Sequence, residues 1–92
     1  MDREEALSLL NAKLDQYRRF TYDQLAARVG DEECPEVVGA SGTQYQVEIQ
    51  IVWDDKPNGA VRVLGSIDDG GWRAFVPLCD SVIMPPDREP TQ

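Results

Sequence analysis

Apolar residues recur at helical spacing near the start of the chain and at alternate positions from about residue 36 onward. Leu7, Leu10, Leu14 and Tyr17 follow at i, i+3, i+7 and i+10, which places them on one helical face. Asp2 has the side chain of an N-cap, and Glu5 at the third helical position is placed to reach back to it. Glu4 and Glu5 near the start and Arg18 and Arg19 near the end suit the helix dipole. The pattern predicts a helix over roughly residues 3–18. A shorter helix follows. Thr21 and Gln24 have capping-box spacing, Phe20 can staple onto Leu25, and Leu25, Ala26 and Val29 form its apolar side. Gly30 stands where a helix end takes a left-handed residue.

Asp31 to Pro35 reads as a polar connector, and beyond it the period changes from 3.6 to 2. Tyr45, Val47, Ile49, Ile51 and Trp53 are apolar, with Gln44, Gln46, Glu48 and Gln50 interleaved, the mark of a half-buried antiparallel strand. Glu36 to Ala40 reads as a short strand joined to it through Ser41-Gly42. Asp54 to Gly59 is turn chemistry, Val61 to Ile67 a third strand, Asp68-Asp69-Gly70-Gly71 the next turn, and Trp72 to Leu78 a fourth strand. Pairing Trp53 with Val61, Ile51 with Val63, Ile49 with Gly65 and Val47 with Ile67 keeps all apolar positions on one side. Pairing Ile67 with Trp72, Gly65 with Ala74, Val63 with Val76 and Val61 with Leu78 does the same. The small pair Gly65 and Ala74 leaves a trough in which a helix can lie close. The expected fold is α+β: two N-terminal helices, then a four-stranded antiparallel β-meander, the long helix packed on one sheet face. One domain spans 1–84, and the proline-rich residues 85–92 form a flexible C-terminal tail.

Ninety-two residues accommodate one hydrophobic core and no second. The 17 acidic against 9 basic residues give a formal charge of −8, which repels phosphate backbones and anionic lipid heads and excludes nucleic acid and membrane as expected partners. The acidic opening Met1-Asp2-Arg3-Glu4-Glu5 and the shortness of the apolar runs suit a cytoplasmic chain with neither secretory signal nor span. Histidine is missing altogether, which removes the commonest general base and zinc ligand. Cys34 and Cys79, far apart in sequence, are expected as reduced thiols about 14 Å apart, three strand spacings. Neither a catalytic constellation nor a cofactor or metal site is expected, and the chain is read as a non-enzyme.

Two regions remain as candidates. Val52, Leu64 and Phe75 point away from the predicted core, with Leu64 opposite Phe75 and Arg62 and Arg73 at the rim. An apolar patch with a polar rim is a surface for a protein partner or a homodimer contact. The rival explanation is that Ser81 to Met84 folds back over it. At one end of the sheet Ser41, Thr43, Asp68 and Asp69 gather hydroxyls and carboxylates, either as ordinary turns or as a cradle for a polar ligand. Asp54-Asp55 and Asp68-Asp69 fall at opposite ends of one strand, roughly 20 Å apart, which separates them as a metal or acid–base pair.

From Val38 to Leu78 the chain resembles a family of small, uncharacterised bacterial proteins, a domain of unknown function. The residues that carry the likeness are Ser41-Gly42, Tyr45-Gln46-Val47-Glu48, Trp53-Asp54-Asp55-Lys56 and Gly65-Ser66-Ile67-Asp68-Asp69-Gly70-Gly71-Trp72-Arg73-Ala74-Phe75. The resemblance implies no activity, cofactor or site residue. The first functional reading is a non-enzymatic interaction module, in a sharper form an immunity- or antitoxin-type inhibitor of a basic partner. The second is a small ligand-binding domain or enzyme working through carboxylates, Arg73 and Ser41.

Overall fold

The computed structural model describes residues 2–70 and 77–86. Helix α1 runs Arg3–Arg18 and α2 Tyr22–Ala26, followed by strands β1 Glu32–Glu33, β2 Glu36–Val38, β3 Gln44–Trp53, β4 Val61–Asp68 and β5 Leu78–Met84. The chain is α+β, with one antiparallel sheet in the order β1-β3-β4-β5 and β2 beside β1 on the edge of β3. Asp2 caps α1 by accepting the Glu5 N–H at 3.1 Å. Thr21 and Gln24 form the complete capping box of α2. That helix ends at Ala26, earlier than its apolar side suggests. Hydrogen-bonded turns carry the chain on to Gly30, whose positive φ of 101° turns its N–H onto the Ile51 carbonyl at 2.8 Å.

The alternation in β3 and β4 sets the two faces of the sheet. Tyr45, Val47, Ile49 and Ile51 and, opposite them, Val61, Val63 and Ile67 are buried against Ala6, Leu10, Leu14 and Tyr17 of α1. Gly65 is the point of closest approach. A Cβ there would stand 2.9 Å from Leu10 Cδ1 and 3.2 Å from Leu14 Cδ2, so the missing side chain is what lets α1 lie on the strand. The trough expected at Gly65 is occupied by the helix.

The fourth long strand lies six residues later than the sequence pattern suggests. Ile67 pairs with Leu78, Gly65 with Asp80, Val63 with Val82 and Val61 with Met84. Trp72, Ala74 and Val76 fall outside the described residues, and the expected pairing of Val61 with Leu78 is overturned. Residues 72–78 carry apolar side chains at every second position, Trp72, Ala74, Val76 and Leu78, whereas 78–84 is broken by Asp80 in the inward row and Ile83 in the outward one. The local pattern therefore favours the earlier run, yet β4 ends at Asp68 and β5 begins at Leu78, so the tight turn read from the aspartates and glycines does not join the two strands. Leu64 accordingly faces Gln50 and Ser81, not Phe75. Ser81 to Met84 does not fold over the sheet face; it is the last half of β5.

The polar connector Asp31 to Pro35 contains β1. The Asp31 carbonyl accepts the Ile51 N–H at 3.2 Å and the Pro35 carbonyl accepts that of Val47 at 2.9 Å, so backbone pairing holds the chain there despite two exposed glutamates. No helix among the described residues is long and apolar enough to cross a membrane.

Candidate functional site

Both helices lie on one face of the sheet, so the residues of opposite parity form the other face. Across the strands its rows are Glu36, Gln46 and Asp68; Glu48, Ser66 and Cys79; Glu32, Gln50, Leu64 and Ser81; and Val52, Arg62 and Ile83. Ile83 keeps 48% and Leu64 38% of its surface exposed, which makes them apolar ground open to a partner. A shallow depression of about 440 Å³ lies between Glu48, Gln50, Leu64, Ser66, Cys79 and Ser81. It borders a second, of about 410 Å³, between Cys34, Glu36, Gln46, Glu48, Asp68 and Pro77.

Among the described residues the charge on this face is one-sided. Glu32, Glu36, Glu48 and Asp68 share it with the cation Arg62. Arg62 is already engaged: its Nη2 lies 2.6 Å and its Nε 2.7 Å from Asp54 Oδ1, and its Nη1 donates to Ser81 Oγ at 3.1 Å. Among the candidate partner residues, Val52, Arg62 and Leu64 come together here, and Ile83 joins them unforeseen because β5 is displaced. Phe75 and Arg73 lie outside the described residues.

The polar end divides between the two faces. Ser41 donates its N–H at 2.9 Å and its hydroxyl at 2.7 Å to the Glu5 carboxylate, and Tyr45 donates its hydroxyl to Glu5 Oε1 at 2.7 Å. Ser41 Oγ is also 3.0 Å from Thr43 Oγ1. These bonds hold the Glu5 carboxyl below the ordinary carboxylate range. The same carboxylate, with burial second, pushes the Tyr45 hydroxyl up to about 12. Gly39 is part of the arrangement, since a Cβ there would run into the Glu5 carboxylate. Glu5 therefore fastens α1 to the β2–β3 turn and does not reach back to its own N-cap. Ser41 and Thr43 belong to that fastening. Asp68 belongs to the open face and accepts the Gly70 N–H at 2.8 Å, and Asp69 borders a small recess with Glu36, Gln44 and Gln46.

A third cluster carried no signal in the sequence. Tyr17, on the apolar stripe of α1, donates its hydroxyl to Glu33 of β1, whose carboxylate also lies 3.5 Å from Lys13 Nζ. Burial, then the Glu33 contact, pushes the Tyr17 hydroxyl up to about 12, and the same hydroxyl holds Glu33 below the ordinary range. Arg28 stands 4.6 Å over the Phe20 ring, which meets Tyr17 edge-on at 5.8 Å. The cleft they border measures about 180 Å³. Tyr17 and Lys13 both engage Glu33, an arrangement that secures β1 to the helix.

Cys34 and Cys79 are free and exposed. Among the described residues no group of three or more Cys, Asp or Glu side chains is placed to hold a metal ion. No protein-family model, curated protein or solved structure matches the chain.

Proposed function

We propose that this chain is a non-enzymatic protein-binding module that receives a basic segment of a partner on its open sheet face. One observation carries the reading. Among the described residues, the face away from the helices carries four carboxylates, Glu48 diagonal to exposed Leu64, Glu32 in its row, and Glu36 and Asp68 farther along, while Arg62 is already paired with Asp54. Exposed apolar side chains beside carboxylates provide burial and orientation together, and the sign of the charge selects the partner. A second copy laid face to face would oppose carboxylate to carboxylate, so the face favours a cationic partner over itself. The lack of histidine leaves these carboxylates without the usual proton-transfer companion, which supports binding over catalysis.

Titration calorimetry of the full chain with a synthetic peptide of lysines and leucines tests the reading. Binding should weaken as salt is raised. The double variant E48K/D68K should bind roughly tenfold or more weakly, the equivalent of about 1.4 kcal/mol. Equal affinity in the variant, or no heat with the wild-type chain, would sink the proposal.

A further inference from the structure

The two edges of the sheet are built differently. One is broken: β1 and β2 have two and three residues, Cys34 and Pro35 separate them, and Glu32, Glu33 and Glu36 charge them. Short, charged, proline-interrupted strands are how an edge is protected from further pairing. The other edge is the continuous strand Leu78–Met84, with β4 as its one neighbour among the described residues.

In an antiparallel sheet each residue turns both its N–H and its C=O toward the same neighbour, and the direction alternates along the strand. The Val47 and Ile51 amides bond outward to Pro35 and Asp31. Hence Glu48 and Gln50 turn to Ser66 and Leu64 of β4, and Gly65 turns to Asp80 of β5. Cys79, Ser81 and Ile83 are left directing their backbone groups away from the sheet. The Ser81 N–H agrees, since it is held by the carboxylate of its neighbour Asp80 at 2.8 Å.

We infer that this edge joins a second copy of the chain, β5 against β5, antiparallel about a two-fold axis at Ser81. Ser81 is the midpoint of the strand, so this register pairs all seven residues without overhang. Ser81 meets itself, and Cys79 meets Ile83 of the second copy; all are residues with outward backbone groups. Leu78 meets Met84, an apolar pair on the helix side. The strand's lone charge, Asp80, falls opposite Val82, so no two carboxylates are directly opposed, as they would be in a register centred on Asp80. On pairing, the Ser81 N–H passes from the Asp80 carboxylate to the Ser81 carbonyl of the second copy. The axis stands perpendicular to the sheet, which places the open faces of both copies on the same side. The inference does not depend on what that face binds.

The full-length chain is examined by sedimentation equilibrium at low and high salt, and by oxidative cross-linking of S81C in a C34S/C79S background. A hydrogen-bonded antiparallel pair sets Cα atoms about 5.5 Å apart, inside the range a disulfide spans. The expected result is a concentration-dependent dimer that strengthens with salt, because each copy carries −8. S81C should form covalent dimer at least tenfold faster than D15C, a control on the exposed side of α1. A chain that is monomeric at every concentration and salt level, or S81C linking no faster than D15C, overturns the inference.

Discussion

Gly65 shows how much one missing side chain decides. Its Cβ position lies 2.9 Å from Leu10, 3.2 Å from Leu14 and 3.3 Å from Ile49, all in the closed core, so an added methyl has no room unless α1 lifts. Gly65→Ala should cost about 1–3 kcal/mol by overpacking, measured by urea unfolding. Leu10→Ala, which leaves a cavity at the same contact, should cost about 2–5 kcal/mol. Gly39 is crowded differently, by the movable end of Glu5. Gly39→Ala should therefore act by ejecting that carboxylate, and its loss in melting temperature should match that of Glu5→Ala. The double variant should lose no more than either single one. Additive losses would show that Gly39 serves some other purpose.

The same residues set the pH dependence. Glu5 and Glu33 have lowered pKa values in the folded chain, so the unfolded chain binds more protons as acidity rises. Their contribution is complete above the ordinary value of 4.5 and fades as pH falls through the lowered values. Tyr17 and Tyr45 are raised from 10.0 to about 12. Their contribution is complete below 10.0 and is lost as pH rises through about 12. Melting temperature should thus be level between these limits and fall on both sides. Tyr45→Phe should flatten part of the alkaline fall and Glu5→Gln part of the acid fall; unchanged limbs would contradict these assignments.

At the scale of elements, legibility followed the length of the signal. Of the expected stripe, Leu10, Leu14 and Tyr17 are buried, while Ala6 takes the buried place read for Leu7; that stripe and the alternation from Tyr45 to Ile67 are long enough to fix α1, β3, β4 and the register of the two strands. β5 is not legible, because Asp80 and Ile83 break the alternation of 78–84 while residues 72–78 carry the cleaner pattern. β1 was invisible for the opposite reason: two exposed glutamates have no pattern, and tertiary hydrogen bonds hold them in place. Half of the open face could be read from the parity of β3 and β4. The β5 half, with Ile83, Ser81 and Cys79, could not. The placement of β5 can be tested by substitution. Val82→Ala, at a buried position over Val63, should destabilise by about 1–2 kcal/mol. Ile83→Ala on the exposed face should stay within about 0.5 kcal/mol. The reverse order would mean the strand is turned over.

For the whole molecule, the organising fact is that the helices spend their apolar faces on one side of the sheet. The other side is left with the polar half of each alternating pair. In β3 and its neighbours that half is rich in glutamate and glutamine, so part of the net charge of −8 gathers on a face that also exposes Leu64 of β4 and Ile83 of the edge strand β5. The most direct test of the claim that this face receives a basic partner is to map backbone amide shifts of the labelled chain as the lysine–leucine peptide is added. The account predicts that the shifts concentrate at Glu48, Gln50, Leu64, Ser66 and Ser81. Shifts gathered instead on α1 around Leu7 and Asn11 would contradict it.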